Sequence, residues 1–448
     1  MQTVIKSPRN GCGLHGALQT VQGIRGLVPI VHANAGCAVQ NYLAGKAGGA
    51  GMGSISGAST FSTDVQERHV IFGGASRLRE QIKNTIKVAE GDLYIVLNSC
   101  ESAMVGDDVE AMTREAREQG EAVVECLTAG FHGDSHYGYE SVMTDLVKKL
   151  PQIRPAADKR RIRLVNLLGI LPGQDICFRG DLTELKRILQ GIGAEVNCFF
   201  GPENGVEELV TAPNASLNLV FSKWGRKAAA GLEERYNIPS LEFASVPTGP
   251  QEVAAFVHAV AEKLPLDERV IRCFLQEEED EFRYYYRGLV DHFYEELAGK
   301  SVAVVGDEST VLRVGGFLTE YLGASVETAV VTDYFGKAEN SREEKSGAVT
   351  ALAREAYFTQ DSKEIQDILV HSDVELILGS SLEQPAADKR QIVSLEVSYP
   401  VYDKAVVNKS YAGNRGALTL IEDYLTAVKT ANRLKEQRLY AYINNTAG

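Results

Sequence analysis

Short apolar runs alternating with helical stretches along the whole chain do most to limit what it can fold into. Ten runs read as strands: Leu27–His32, Leu93–Asn98, Ala122–Leu127, Arg163–Leu168, Glu195–Phe199, Leu217–Phe221, Ser301–Val305, Ser325–Val331, Glu375–Leu378 and Val393–Ser398. Most are apolar on both faces, the pattern of strands buried in parallel sheet. Helical periodicity fills the gaps, as in Leu182–Leu189, Glu252–Lys263, Thr310–Leu322 and Gly416–Leu434. This alternation predicts an α/β fold of doubly wound parallel sheets. The 448 residues suffice for three units, at about 150 residues each. One boundary falls in the polar, proline-bearing stretch Pro151–Arg161, and another at the charged, tyrosine-rich helix Phe274–Leu297. The expected units are therefore 1–155, 156–295 and 296–448, the last with a terminal helix. A glycine-rich segment, Gly45–Gly57, is long enough to wrap a ligand or a partner.

Three cysteines carry the chemistry. Cys12 stands in Asn10-Gly11-Cys12-Gly13, Cys37 in Ala35-Gly36-Cys37-Ala38, and Cys100 in Asn98-Ser99-Cys100-Glu101. Each is placed on a loop beside a strand or turn. Thiolates on short, glycine-bordered loops can converge and leave room for a bulky inorganic cluster, which points to an iron–sulfur protein. Zinc sites instead show close pairs such as C-x2-C. In open parallel sheets ligands bind at the carboxyl ends of strands. Cys37 and Cys100 each follow a strand closely, whereas Cys12 has to be brought in by the N-terminal arm.

Seven cysteines are an odd number for a disulfide framework, and in a reducing compartment they are free thiols or metal ligands. The formal net charge of −14, with no basic cluster interleaved with aromatics, excludes nucleic acid as a partner. No apolar run is long enough to span a membrane. The first residues lack the apolar core of a signal peptide, so a cytoplasmic location is expected.

A series of ordered segments resembles the nitrogenase component 1 superfamily. Gly11-Cys12 is followed by Val31–Cys37, Phe61–Gly74, Ser99-Cys100 with Val105–Val109, Thr128–Tyr139, Val165–Gly169, Val397–Asp403 and Tyr411–Ala417. The resemblance covers nearly the whole chain and implies three Rossmann-like domains. It implies that Cys12, Cys37 and Cys100 ligate a cluster shared with a partner chain, either a P-cluster of [8Fe–7S] type or a simpler [4Fe–4S] cluster. The partners it implies are an α-type subunit in an α2β2 heterotetramer and a separate ATP-hydrolysing iron–sulfur reductase. The implied role is electron relay to an iron–sulfur cofactor on the α subunit.

Ser222, in Leu217–Trp224, stands where α-type chains have a cofactor-ligating cysteine, and no histidine follows His371. The chain thus resembles the β-type. The segment Phe61–Gly74 instead reads like α-type or scaffold α-type chains. The resemblance also implies an oxygen donor to an oxidised cluster near Phe131–His136, with Asp134 and Ser135 as the two candidates. The substrate would be dinitrogen or a small organic such as a methylthio-alkane, and the short N-terminus tilts toward the methylthio-alkane reductase branch. A scaffold for nitrogenase cofactor maturation and a tetrapyrrole reductase subunit are the alternatives.

Other residues read structurally. Cys126 and Cys198 belong to strands and the core, His32 lies beside the Cys37 loop, and Gly106–Asp108 caps a helix. Val304–Thr310 has neither G-x-G-x-x-G nor a Walker lysine and is an ordinary strand-to-helix turn. Trp224 is expected in the core or at an interface, whereas His132 and His136 either line the cluster region or pack at the surface or the subunit interface.

Overall fold

The computed structural model describes residues 5–40, 60–155, 159–334 and 347–446, with side chains to residue 438. The glycine-rich segment 45–57 lies outside the described residues. Three sheets organise the chain, and every pairing between their strands is parallel. The first contains β1 (Leu27–His32), β2 (Phe61–Ser62), β3 (Leu93–Asn98) and β4 (Val123–Cys126), in the order β2-β1-β3-β4. The second contains β5 (Leu164–Leu168), β6 (Glu195–Asn197), β7 (Leu217–Val220) and β8 (Ser240–Glu242), in the order β6-β5-β7-β8. The third contains β9 (Ser301–Gly306), β10 (Ser325–Val331), β11 (Glu355–Phe358), β12 (Leu376–Gly379) and β13 (Val393–Glu396), in the order β11-β10-β9-β12-β13.

Each sheet is α/β and doubly wound, as expected. The strands read from sequence are present, with ends shifted by a residue or two. Three strands were not anticipated: β2, β8 and β11. All lie at sheet edges and are only partly buried, so they lack the continuous apolar run that marks a central strand such as β3, buried along its full length. The expected helices run longer than their apolar cores, to Phe178–Gly191, Glu308–Leu322, Glu268–Leu297 and Gly413–Thr446, while the one expected over Glu252–Lys263 is shifted by two residues to Pro250–Ala261. Asp307 caps the helix Glu308–Leu322 by accepting from the Thr310 amide, which makes Val304–Thr310 a capped turn.

In each sheet the winding reverses beside its first strand: between β1 and β3, between β5 and β7, and between β9 and β12. Crevices open at the carboxyl ends of strands at such reversals. The edge strand β4 is guarded, because Arg117 donates to the Val123 carbonyl and Lys149 to that of Glu125. Side chains that occupy edge carbonyls discourage pairing with another chain.

The second and third sheets are joined through a buried ion pair. Asp181 on the helix Phe178–Gly191 accepts from the Arg313 guanidinium at 2.5 Å, and both groups are buried. The other Asp181 oxygen accepts from the Ser410 hydroxyl and the amides of Tyr411 and Ala412 at 2.8–3.0 Å. Removing one partner of such a pair strands a charge in the interior. Asp181→Ala should therefore cost about 3–5 kcal/mol, seen as a lowered denaturant midpoint. An unchanged midpoint would show that the pair does not hold the two units together.

Candidate metal centre

The first sheet brings three thiols to one end. The N-terminal arm delivers Cys12 as the cap of the helix Gly13–Gln22. That helix lies against the helix Ser135–Ile153 with almost no space between the backbones. A Cβ on Gly16 would fall 1.8 Å from the Ser135 carbonyl oxygen, and one on Gly138 would fall 2.2 Å from that of Gly13. Cys37 follows β1 in the first turn of a helix that covers residues 35–40. Its amide donates to the Asn34 carboxamide oxygen at 3.3 Å, while the Asn34 Nδ2 donates to Glu101 at 3.0 Å. Cys100 follows β3 as the first residue of the helix Cys100–Val105, which Ser99 caps by accepting from the Ser102 amide. All three cysteines thus sit at helix N-termini, not on open loops. Amides there have no partner within the helix and favour negative charge.

Cys12 and Cys100 meet at the backbone of Gly130, just past β4. The Gly130 N–H donates to Cys100 Sγ at 3.1 Å. A Cβ at this position would lie 2.8 Å from Cys12 Cβ and 3.3 Å from Cys100 Sγ, so only glycine lets the chain approach both. Cys37 is close enough to feel both charges. Among the described residues no three His, Cys, Asp or Glu side chains close around one metal ion. Thiolates are the donors that iron–sulfur clusters take. Soft thiolates, backbone N–H donation to sulfur and an open outer side are the features such a cluster needs.

The electrostatics separate the thiols. Burial opposes ionisation of Cys12, but His15 Nδ1 at 3.4 Å and its charge outweigh this and lower the thiol's pKa. His15 is raised in turn, chiefly by the hydrogen bond to Cys12, against burial. Cys37 goes the other way, raised by burial and then by the nearby Cys12 and Cys100 charges.

Around the thiols the polar groups are engaged. His32 is buried at the end of β1, with Nε2 3.0 Å from Asp107 and Nδ1 3.1 Å from Thr63 Oγ1. Burial lowers its pKa, against the pull of Asp107. Asp107 also accepts from the Gly74 amide, while Asp108 caps the next helix. Asp134 is buried: one oxygen caps the helix Ser135–Ile153, and the other accepts from Asn10 Nδ2 at 3.0 Å and lies 3.4 Å from His136 Nδ1. The Ser135 hydroxyl donates to Gln174 Oε1 at 3.0 Å. Ser222 donates to the Gly169 carbonyl at 2.6 Å. Trp224 stacks on His136 and donates to Asp333, which makes it an interface residue between sheets.

Sequence reasoning missed His15, Asn34 and Gly130. His15 was within reach, since positions three apart on a helix face one way. Gly130 gave no local sign of its role. The rim was missed too. Met104 is 80% exposed and Phe72 86%, with Ile71, Val39 and Phe131 also exposed near the cysteine-bearing segments. Such apolar surface marks an interaction site.

A family model, Nitrogenase component 1 type Oxidoreductase, matches residues 12–429. The chain is 25% identical, over 94% of each chain, to the nitrogenase molybdenum-iron protein beta chain of Methanococcus maripaludis. It is 23% identical to the nitrogenase iron-molybdenum cofactor biosynthesis protein NifE of Clostridium pasteurianum, over 85% of this chain and 80% of that one. Its fold matches the solved structure titled "Nitrogenase Cp1 at pH 6.5" with a TM-score of 0.79 and 18% identity, over 96% and 94% of the two chains.

The thiol order is testable in the metal-free chain. Alkylation of Cys12 should set in below the pH of an ordinary thiol, and that of Cys37 above it. His15→Ala should move the Cys12 profile upward. Superimposed Cys12 and Cys37 profiles would contradict this electrostatic account.

Proposed function

The chain belongs to the nitrogenase component 1 type oxidoreductase family, and we propose that within it this is the β-type subunit of a nitrogenase-like reductase. On this reading Cys12, Cys37 and Cys100 hold half of a P-cluster-like [8Fe–7S] centre, or a [4Fe–4S] cluster, shared with an α-type subunit in an α2β2 assembly. The observation that carries the reading is the approach of Cys12 and Cys100 to Gly130, with Cys37 near both, beside exposed apolar side chains. The ligand set is thereby left open toward a second chain. The β-chain relative, alike over nearly the full length of both chains, supports the β-type assignment.

A bound cluster would take up and release single electrons, supplied by an ATP-hydrolysing reductase. The chain's own part is to shape and charge the site. The amides at three helix N-termini and the Gly130 N–H favour thiolates. His15 offsets negative charge at Cys12. The apolar rim excludes water once covered, which strengthens these interactions. Asp134 and Ser135 join the ligand set only by giving up the helix cap and the Gln174 bond, so they are reserve donors. The Ser222 hydroxyl is committed to Gly169, which agrees with a substrate site on the α-type partner. That partner sets the substrate, dinitrogen or a small organic such as a methylthio-alkane.

A second reading is a cofactor-maturation scaffold. It is favoured by the NifE relative and by Phe61–Gly74, whose helix Glu67–Phe72 buries none of its residues. Anaerobic purification with the co-expressed partner separates the two. The reductase reading expects iron beyond one [4Fe–4S] cluster per αβ pair and reductase-driven turnover. Cys37→Ala should lower both, with turnover falling by more than the roughly 10–100-fold typical of a lost outer-shell contact. Full activity in that variant would sink the relay role. Transfer of a cofactor precursor to an apo-enzyme, without turnover, would establish the scaffold.

A further inference from the structure

The N-terminal arm does more than begin the chain. Residues 6–9 run antiparallel along 360–362 beside the third sheet: Arg9 donates its amide to the Gln360 carbonyl at 3.0 Å, and Ser362 donates its own to Ser7 at 2.8 Å. The Lys6 amide reaches the Asp361 carboxylate. The Arg9 guanidinium then reaches the segments that follow β12 and β13, at the carboxyl end of the third sheet. Nη1 donates to Glu383 at 2.5 Å, and Nη2 reaches Glu383, Ser398 Oγ and the Tyr399 carbonyl at 3.3, 3.3 and 2.9 Å. Neither charged side chain has appreciable exposure, at 0% for Arg9 and 1% for Glu383. Glu383 is held in turn by the Ser380 amide and hydroxyl. One residue on, Asn10 donates both to Asp134 and to the Thr332 carbonyl. Cys12 follows two residues later and bridges Asp134.

We infer that Arg9 is a positioning residue for Cys12: its buried pair with Glu383 moors the arm at the carboxyl end of the third sheet and so fixes where the Cys12 thiol lies relative to Cys100. Three observations converge on this. The pair is bidentate and fully buried, which is costly to build and therefore rigid once made. The chain between Arg9 and Cys12 is too short to absorb a displacement: two intervening residues span at most about 3.3–3.6 Å each. Asn10 is itself fixed at both a first-sheet and a third-sheet partner. A cysteine placed from the third unit links the cluster's geometry to the relative position of the first and third sheets. This rests on the cluster reading for its functional meaning, but its geometric core does not.

The test is made on the full-length chain, metal-free and as the complex with its partner. Arg9→Met removes the guanidinium. Glu383→Gln keeps an acceptor for Ser380 but sets a donor against Arg9, and Arg9→Lys keeps the charge without the fork. In the metal-free chain, Arg9→Met and Glu383→Gln should raise the alkylation rate of Cys12 by roughly tenfold or more, because loss of a buried pair opens the arm locally. Cys100 should be unaffected. Arg9→Lys should restore only part of the protection. In the iron-loaded complex the same variants should shift the cluster's midpoint potential and spectroscopic signature. Unchanged Cys12 alkylation in folded Glu383→Gln and Arg9→Met would overturn the inference. Should the wild-type complex hold no iron–sulfur cluster, the reading of the centre fails, while the alkylation rates still decide the role of Arg9.

Discussion

The contact between the helices Gly13–Gln22 and Ser135–Ile153 sets the geometry around the cysteines. Gly16 and Gly138 let the two backbones touch, and any side chain at either position would enter a main-chain carbonyl. That approach places Cys12, at the head of one helix, beside Asp134, at the head of the other. It also brings the loop that follows β4 over the thiols, with Gly130 between Cys12 and Cys100. The remaining contacts refine this arrangement. Asn34 ties the Cys37 turn to Glu101, and His32 locks β1 to Asp107.

The first two sheets share one strand order, the third adds a strand, and all three wind both ways from their first strand. Each has a crevice where its winding reverses. In the first, the crevice between β1 and β3 carries Cys37 and Cys100. In the second it is shut: a Cβ on Gly169 would lie 2.7 Å from the Ser222 amide, and the Ser222 hydroxyl bonds the Gly169 carbonyl. In the third, Arg9 from the N-terminal arm lies across the segments that follow β12 and β13.

Much of this was legible in the sequence. Central strands such as β3 and β9 were plain because residues buried on both faces leave an almost unbroken apolar run. The edge strands β2, β8 and β11 were not, since half-buried strands carry no such signature. The cysteines stood out by their glycine neighbours, and the resemblance gave them an order and a family. What escaped was whatever depends on distant partners. Arg9 and Glu383 lie 374 residues apart, and Gly130 gains its meaning only from a packing that no local window contains. Asp134, one of the two oxygen donors the resemblance implies, also caps a helix and accepts from Asn10, bonds that no local window displays.

The account centres on a cluster bound by the three thiols at the surface where a partner docks. Anomalous diffraction at the iron edge, on crystals of the complex purified anaerobically with its partner, tests this most directly. The account predicts iron density within bonding distance of Cys12, Cys37 and Cys100 Sγ, at the boundary between the two chains. Iron found only elsewhere in the complex, with these thiols unliganded, would contradict it.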